Sequence, residues 1–508
     1  MKLKELLENN ISKYGEYPFI YYQDQQYTNV ETKKYADLIA NGIKQHCVKQ
    51  GDRVVVCMPN NPEVIFSYQG ITRSGAVIVP IMFTLHPKEI QYIIKNCEAK
   101  VVIASSYTAE NMKKAIEGLE SKPILVVTDA ESSDGVLTLD DLLSKEASVQ
   151  EVPGLETDEN ETAVILYTSG TTGNPKGVLL THKNLYTNAV NSAAHNETER
   201  GVTIGVLPLA HVYGLTISNT CYITGSSVVV FPRFDPGQIF KAIEKYKVKS
   251  FSAVPAMIHA MVGSPQADQS DTSSLEWIGS GSAPLPIALL NGFRQKFGAK
   301  VYEGYGLSEA APVVTAHNKK IEIKPGSVGI PIPGVQIKIV DDKGSEVPAG
   351  QVGELVVSGD NVTPGYYQNK EETNRVIKDG WLFTGDMARV DEDGYLYIVD
   401  RKKDLVIRGG FNVYPRDIEE LLNAHEYVSE AAVVGVPDER MGEEIVACVV
   451  TKPEANPSEE ELIRYCQEHL AKNKTPKRIV FMEALPRNGV GKILKTRLRE
   501  NAANIITQ

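Results

Sequence analysis

Long apolar runs are missing from this 508-residue chain. No stretch of about 18 or more apolar residues occurs, so no helix is expected to span a membrane. Peripheral membrane contact stays open. The opening segment MKLKELLENNISKYG is polar and helix-like and has no apolar h-region, so no secretory signal is expected and the cytoplasm is the expected location. Cysteine is scarce. Cys47, Cys57, Cys97, Cys221, Cys448 and Cys466 form no CxxC pair and have no histidine cluster beside them. That pattern excludes a disulfide scaffold and a zinc site, and reduced core thiols are expected. Basic charge is also short: 53 Lys and Arg stand against 64 Asp and Glu, for a net charge of -11. Non-specific nucleic-acid binding needs a broad basic surface to displace counterions, so no nucleic-acid partner is expected. Internal repeats and low-complexity tracts are absent as well.

What is present is enough apolar material for more than one core. With 42% hydrophobic residues over this length, two or more domains are expected. Helix and strand alternate in the first third. Tyr35, Leu38, Ile39 and Ile43 have helical spacing, and Arg53–Cys57 reads as a buried strand. Asn61-Pro62 caps the next helix, Ala76–Pro80 is a strand, Pro87 opens a helix and Val101–Ala104 is a strand again. Continuous apolar strands between amphipathic helices indicate parallel α/β layers.

Residues 131–162 read as an acidic, irregular surface excursion. A strand over Ala163–Thr168 then leads into a Gly/Thr loop, with a helix from about His182. Later strands fall near Val202–Leu207, Val228–Phe231 and Ser250–Val254. Between Gly326 and Asp400, short β runs alternate with Gly, Asp and Pro turns, as in a small barrel or distorted sheet. The charged, then glycine-rich segment VDRKKDLVIRGG marks a boundary, placed between residues 400 and 401. A compact α+β pattern follows, with a helix near Arg416–Asn423, strands at Ala431–Val436 and Ile445–Thr451, and a capping box at Ser458. The expected fold is therefore α/β: a large N-terminal domain of layered α/β parts plus a small β-barrel-like part (1–400), then a small mobile α+β domain (401–508). The tail from Lys472 to Arg499 is locally basic, which reads either as a solvated helix face or as a surface that meets phosphates.

The strongest chemical signal is Tyr167–Val178, YTSGTTGNPKGV. Gly170, Gly173 and Gly177 let the backbone curl tightly. A curled loop aims N–H groups and the hydroxyls of Thr168, Ser169, Thr171 and Thr172 inward as an anion nest, and Lys176 adds a positive charge. Nucleotide phosphates suit such a site. The Walker pattern does not fit, because Gly177 follows the lysine. In Tyr302–Glu309, YEGYGLSE, a carboxylate after a glycine-rich turn is the kind of ligand that Mg²⁺ takes beside phosphate oxygens. Further motifs are GSGSAPL (Gly279–Leu285), PLAHVYG around His211, WLFTGDMA (Trp381–Ala388) with Arg401 beyond it, DRKKD, and PRNGVGKILK (Pro486–Lys495).

These motifs, in this order and over nearly the whole chain, resemble the AMP-forming acyl-CoA synthetases of the adenylate-forming superfamily. That superfamily includes fatty-acyl-CoA and coumarate-CoA ligases, luciferases and peptide-synthetase adenylation domains. The resemblance implies ATP, Mg²⁺ and coenzyme A as the small molecules used. It implies that the Thr168–Lys176 loop holds phosphates, with Gly170 and Gly173 in its turn, and that Glu309 and Thr168 hold the metal. Tyr305 would stack on adenine, with Glu303, Gly304, Gly306 and Ser308 beside it. Ser282, Ala283 and Pro284 would line the adenine and acyl pocket. Asp386 would accept the ribose hydroxyls and Arg401 would donate to the sugar or phosphate. Lys403 would be the hinge, Gly409 and Gly410 would face the pantetheine thiol, and Lys492 would be the adenylation lysine. His211 and Tyr213 would stand at the acyl pocket together with Ser282, Gly304 and Ser308. Ser308 stands where the family usually has threonine, and Asn488 and Val490 depart from its usual final loop.

The implied activity is an acyl-CoA ligase working through an acyl-adenylate. The apolar stretch Val254, Ala256, Met257 favours a medium- or long-chain fatty acid over an arylacrylate such as coumarate. Neither Trp277 nor Trp381 suggests a pocket plug that would restrict the site to acetate-sized acids. A stand-alone adenylation enzyme loading a carrier protein is the alternative, although a peptide-synthetase module would normally continue past Gln508 into a carrier domain. A luciferase-like oxygenase has nothing specific in its favour, and a kinase has no signature. A non-catalytic acyl- or nucleotide-binding protein is disfavoured because the Gly/Thr loop, Glu309 and Lys492 are all present. A monomer or homodimer is expected.

Overall fold

Runs of β-branched residues bounded by Asp, Gly and Pro set the main sheet. RVVVC (Arg53–Cys57), VIVP (Val77–Pro80) and VVIA (Val101–Ala104) are almost wholly buried, as strands covered on both faces must be. A computed structural model describes residues 1–129, 137–139, 141, 158–168, 174–453, 455–487 and 493–506. It divides into two compact units, Met1–Ile337 with Val357–Leu382 and Lys338–Val356 with Phe383–Gln508.

In the first unit an eight-stranded sheet runs in the order Gly365–Tyr366, Lys176–Thr181, Thr162–Thr168, Val77–Pro80, Arg53–Cys57, Val101–Ala104, Ile124–Val127, Leu137–Thr138. Its central pairs are parallel, and the first two pairs are antiparallel. Helix Pro62–Ser74 begins as the sequence indicates. Asn61 accepts the Val64 N–H, proline leads, and Gly75 closes the helix at φ +81°. Each fully buried aliphatic on these strands, such as Val55 or Ile103, contributes about 1.5–3 kcal/mol relative to exposure.

A second sheet of five strands places Ser250–Ala253, Trp277–Ser280 and Lys300–Gly306 parallel and in register, then Val313–Ala316 and Ile330–Pro331 antiparallel. A four-stranded sheet joins Val202–Gly205 and Ser227–Val230 to Pro18–Tyr22 and Gln25–Thr28. From 326 to 400 the chain is mostly strands and turns, as its composition indicates, with one helix, Lys370–Val376, that the composition did not indicate.

The second unit is α+β. The long antiparallel pair Val428–Asp438 and Gly442–Thr451 alternates its faces with period two. Ala431, Val433, Ile445 and Ala447 pack with Ile418, Leu422, Leu462 and Cys466 of two helices. Ala432, Val434, Val446 and Cys448 pack with Leu498 and Ala502 of the last helix, Lys495–Ile506. Ser458 caps helix Glu459–His469 by accepting the Glu461 N–H at 3.1 Å.

Two readings are refined. Between the Gly/Thr loop and the helix from His182 lies a strand, Lys176–Thr181, so the loop is the tip of a hairpin rather than a strand-to-helix turn. Val178, Leu179 and Leu180 have the apolar side chains a sheet interior takes. All six cysteines are free, but Cys47 is exposed rather than in a core. Most of the 131–162 excursion lies outside the described residues.

Candidate active site

The hairpin Thr162–Thr168/Lys176–Thr181 sets Thr168 directly opposite Lys176. The tip residues Ser169, Gly170, Thr171, Thr172 and Gly173 lie outside the described residues. Lys176 is held from across the sheet edge, its Nζ 2.8 Å from Glu372 Oε1. Glu372 is also gripped by Arg375, with Nε at 2.8 Å and Nη2 at 2.6 Å. That fork, joined by Lys176, pulls the Glu372 carboxyl down to about 2 against the opposing effect of burial.

The same edge meets the second motif. The 3₁₀ turn Ser308–Ala310 packs on strand Lys176–Thr181. The Tyr366 hydroxyl donates to Glu309 Oε1 at 2.8 Å, and Tyr366 pairs with Val178 of that strand. Burial first, then the Glu309 charge, push the Tyr366 phenol well above its ordinary range. The turn is pinned by amides. Asn361 donates to the Ala310 carbonyl at 2.8 Å, Asn188 donates to the Val313 carbonyl at 2.8 Å, and the Thr363 N–H donates to the Glu309 carbonyl at 2.8 Å. Gly306 allows it to close, since a Cβ there would stand 2.3 Å from the Pro312 oxygen.

Three loops leave the carboxyl ends of the parallel strands Ser250–Ala253, Trp277–Ser280 and Lys300–Gly306, where open α/β sheets bind ligands. The turn Gly281–Pro284 lies against Gly304, whose oxygen would be 3.5 Å from a Cβ on Gly281. Ser282, Ala283 and Pro284 are exposed, with Ser282 at φ +71°. Tyr305 and Ser308 are half-buried beside them. Glu303, only 5% exposed, accepts the Leu285 N–H at 3.2 Å and so ties the two motifs together. Behind it, His317 turns Nδ1 to the Glu303 carbonyl at 3.2 Å. A carbonyl only accepts, so Nδ1 carries the proton, and burial lowers this imidazole to about 4 and keeps it neutral.

His211 caps helix Val212–Thr224, its Nδ1 accepting the Tyr213 N–H at 3.2 Å. Burial lowers it to about 4, so it is neutral with the proton on Nε2. The Tyr213 hydroxyl is 2.9 Å from Ser252 Oγ on the neighbouring strand. Asn60 fixes the preceding loop by bonding both Leu207 and Leu209 backbones.

In the second unit Asp386 and Arg401 are cross-strand partners, with Arg401 Nε 3.5 Å from Asp386 Oδ1 and Asp386 only 8% exposed. Lys403 is exposed, and partial desolvation followed by the Arg401 charge lowers its ammonium. Gly409 and Gly410 (φ +59° and +81°) form the two-residue turn between Val406–Arg408 and Phe411–Val413. Two positive φ values in succession are what a tight type I′ hairpin needs. Lys492 lies outside the described residues, but the base of its loop is closed by the Arg487–Ile493 bridge and by the Leu494 N–H to the Pro486 carbonyl at 2.8 Å. Much of the basic tail is paired within the unit: Lys474 with Asp417, Lys477 with Asp438, Arg478 with Glu459, Arg487 with Glu430, Lys495 with Glu419 and Arg499 with Asp404. A purely solvated face does not describe it.

Sequence reasoning missed Tyr366, Glu372, Asn188 and His317. Tyr366, Glu372 and Asn188 lie far in sequence from the motifs they serve, and His317 lies just past the Tyr302–Glu309 motif. Only the Asn369-Lys370-Glu371-Glu372 helix start, which places two acids in a first turn, was a readable signal. Among the described residues no group of three or more His, Cys, Asp or Glu could hold a metal, and no helix is long and apolar enough to cross a membrane.

Comparison with known proteins gives matching family models over both ends of the chain: AMP-binding enzyme over residues 7–367 and AMP-binding enzyme C-terminal domain over 417–492. The long-chain-fatty-acid–CoA ligase of Bacillus subtilis (strain 168) is 34% identical, over 98% of this chain and 94% of that protein. The feruloyl-CoA synthase of an Amycolatopsis species is 35% identical, over 93% of each chain. The crystal structure of ATP-bound MatB from Rhodopseudomonas palustris superposes with a TM-score of 0.91 at 31% identity, covering 99% of this chain and 100% of that one.

Proposed function

The chain belongs to the AMP-binding enzyme family, and from that premise we propose that it joins a medium- or long-chain fatty acid to coenzyme A. It is an AMP-forming acid–thiol ligase. An oxygen of the acid's carboxylate attacks the α-phosphorus of ATP, pyrophosphate leaves, and the acyl-adenylate remains. The coenzyme A sulfur then attacks the acyl carbonyl carbon and AMP leaves. ATP and coenzyme A as co-substrates put the proposed reaction in the cytoplasm.

The observation that carries the substrate reading is the 34% identity to a long-chain-fatty-acid–CoA ligase over 98% of this chain. Half-buried Val254 and Met257, at the start of helix Pro255–Gly263, give the end of strand Ser250–Ala253 an apolar character that suits an alkyl chain. Feruloyl-CoA synthase at 35% identity supports a second reading, an arylacrylate.

The proposed residue roles are those the resemblance to this family implies. Lys176 and the Thr168 loop, with Ser169, Gly170, Thr171, Thr172 and Gly173, take the phosphates. Tyr305 stacks on adenine, and Ser282, Ala283, Pro284, Gly304, Gly306 and Ser308 surround it. Asp386 and Arg401 hold the ribose. His211 and Tyr213 border the acid. Lys492 offsets the charge that develops when two anions meet. The second unit then turns about Lys403, withdrawing Lys492 and presenting Gly409 and Gly410 to the thiol.

The oxygen donors Glu309 and Thr168 suit Mg²⁺, which takes one or two carboxylates beside phosphate and water oxygens. When bound, Mg²⁺ neutralises phosphate charge.

The test is pyrophosphate release with ATP and Mg²⁺ over acids from acetate to palmitate plus coumarate, with and without coenzyme A. Coenzyme A-dependent turnover that peaks among the longer acids is expected. A peak at coumarate moves the assignment to the aryl reading, and adenylate formation indifferent to coenzyme A moves it to a carrier protein.

A further inference from the structure

Lys495 occupies a seat in which three carboxylates from two segments converge. Its Nζ is 2.7 Å from Glu419 Oε1 of helix Pro415–Asn423, and Asp400 and Asp404 also hold its charge against the effect of burial. The ammonium is the first residue of the last helix and is 18% exposed. Each carboxylate also has a partner other than the lysine. Asp400 accepts the Arg401 N–H at 2.7 Å and the Arg416 N–H at 3.0 Å. Glu419 accepts the Val433 N–H at 2.7 Å, and Asp404 is held by Arg499 Nη2 at 2.6 Å. Arg499 stands one helical turn beyond Lys495 and donates to the Lys403 carbonyl as well. The start of this helix therefore grips the 400–404 segment twice.

The residues just before this seat are the base of the Lys492 loop, closed by the Arg487–Ile493 bridge and the Leu494–Pro486 hydrogen bond. Three peptide steps span at most about 11 Å, so the seat fixes how far the Lys492 backbone can stray from the hinge segment.

We propose that Lys495 is a positioning residue for adenylation: its clasp with Glu419, Asp400 and Asp404 ties the helix that follows Lys492 to the Lys403 hinge segment. Rotation at the hinge then carries Lys492 with it. The proposal rests on the roles proposed above for Lys492 and Lys403. A clasp of this kind matters to the half-reaction that uses Lys492 and not to the one that uses the Gly409–Gly410 turn.

The experiment separates those half-reactions in the full chain. Palmitate-dependent exchange of pyrophosphate into ATP reports adenylation, and supplied palmitoyl-adenylate with coenzyme A reports thioester formation; coumarate replaces palmitate should the acid panel favour it. For Lys495→Met the exchange kcat falls about 30- to 100-fold, as expected for a catalytic group displaced by about an ångström, with the KM for ATP within about twofold. Thioester formation stays within about threefold, and Lys495→Arg, which keeps the cation, recovers most of the exchange. Glu419→Gln keeps an acceptor for Val433 and removes one charge. It reads the same split at about five- to tenfold and serves if Lys495→Met does not fold. Equal loss of both half-reactions overturns the proposal. So does an unchanged exchange with only a lowered unfolding temperature, which would make the clasp purely structural. Lys492→Ala, run alongside, keeps the premises distinct: if it leaves exchange intact the reading of Lys492 fails, and if it blocks exchange while Lys495→Met does not, the clasp alone fails.

Discussion

Lys176 and Lys495 each meet one glutamate, at 2.8 and 2.7 Å, with side chains 20% and 18% exposed. By distance and burial they are the same interaction. Their surroundings are opposite. Glu372, the partner of Lys176, is shared with Arg375, so two cations stand about one carboxylate. Lys495 stands among Glu419, Asp400 and Asp404, with Arg499 on Asp404 as the second cation for three carboxylates. An arriving phosphate gains charge complementarity at the first seat and meets repulsion at the second. The length of an ion pair therefore does not separate a lysine proposed to release its partner for a ligand from one proposed to hold. The sign of the surrounding excess does.

The sharpest break of this comparison is a matched pair of methionine variants. Lys176→Met should lower kcat/KM for ATP about 10²- to 10³-fold, as loss of a charge-stabilising donor does, and move the unfolding temperature little. Lys495→Met should cost about 3–5 kcal/mol of stability, since it strands buried carboxylates. Steady-state kinetics and thermal unfolding read both, and an unfolded Lys176→Met protein would erase the distinction.

Acid separates the two units next. His182, His211 and His317, all in the first unit, are lowered by burial from 6.5 to about 4. The unfolded chain takes these protons first, so their contribution to stability is complete above pH 6.5 and is lost as pH falls toward 4, at most about 3 kcal/mol for each. Unfolding followed from pH 7 to pH 4 should show the first unit weakening through that window. A flat response would contradict the burial of these rings.

Tyr366→Phe deletes one hydrogen bond to a carboxylate and should raise the Mg²⁺ requirement about five- to tenfold, read from a Mg²⁺ titration of turnover. The smallest effect is expected for Glu372→Gln. Removing the charge that competes for Lys176 should lower the KM for ATP about two- to fivefold at low salt, and the gain should vanish near 0.5 M salt. A raised KM would show that Glu372 positions Lys176 rather than competing with its ligand.

Much of the fold was legible because its signals are local. RVVVC, VIVP and VVIA are buried strands by composition, and Asn61-Pro62 is a helix start by chemistry. The contiguous motifs around Tyr305, Asp386 and Gly409 stood out for the same reason. Strand Lys176–Thr181 was passed over because six residues directly before a helix give too short a period to separate from its lead-in. Tyr366 and Glu372 were invisible because their partners Glu309 and Lys176 are 57 and 196 residues away, joined only once the edge strand Gly365–Tyr366 is laid on the sheet. Lys495 looked like one more charge in a basic run. Its carboxylates converge only when the Pro415–Asn423 helix and the 400–404 segment are folded beside it.

The measurement that bears most directly on the central claim is exchange of labelled pyrophosphate into ATP, with Mg²⁺ and palmitate and without coenzyme A. Exchange that requires the acid, followed by release of AMP and palmitoyl-CoA once coenzyme A is added, is the predicted result. ADP and phosphate as products, or no exchange with any acid of the panel, would contradict an acyl-adenylate mechanism.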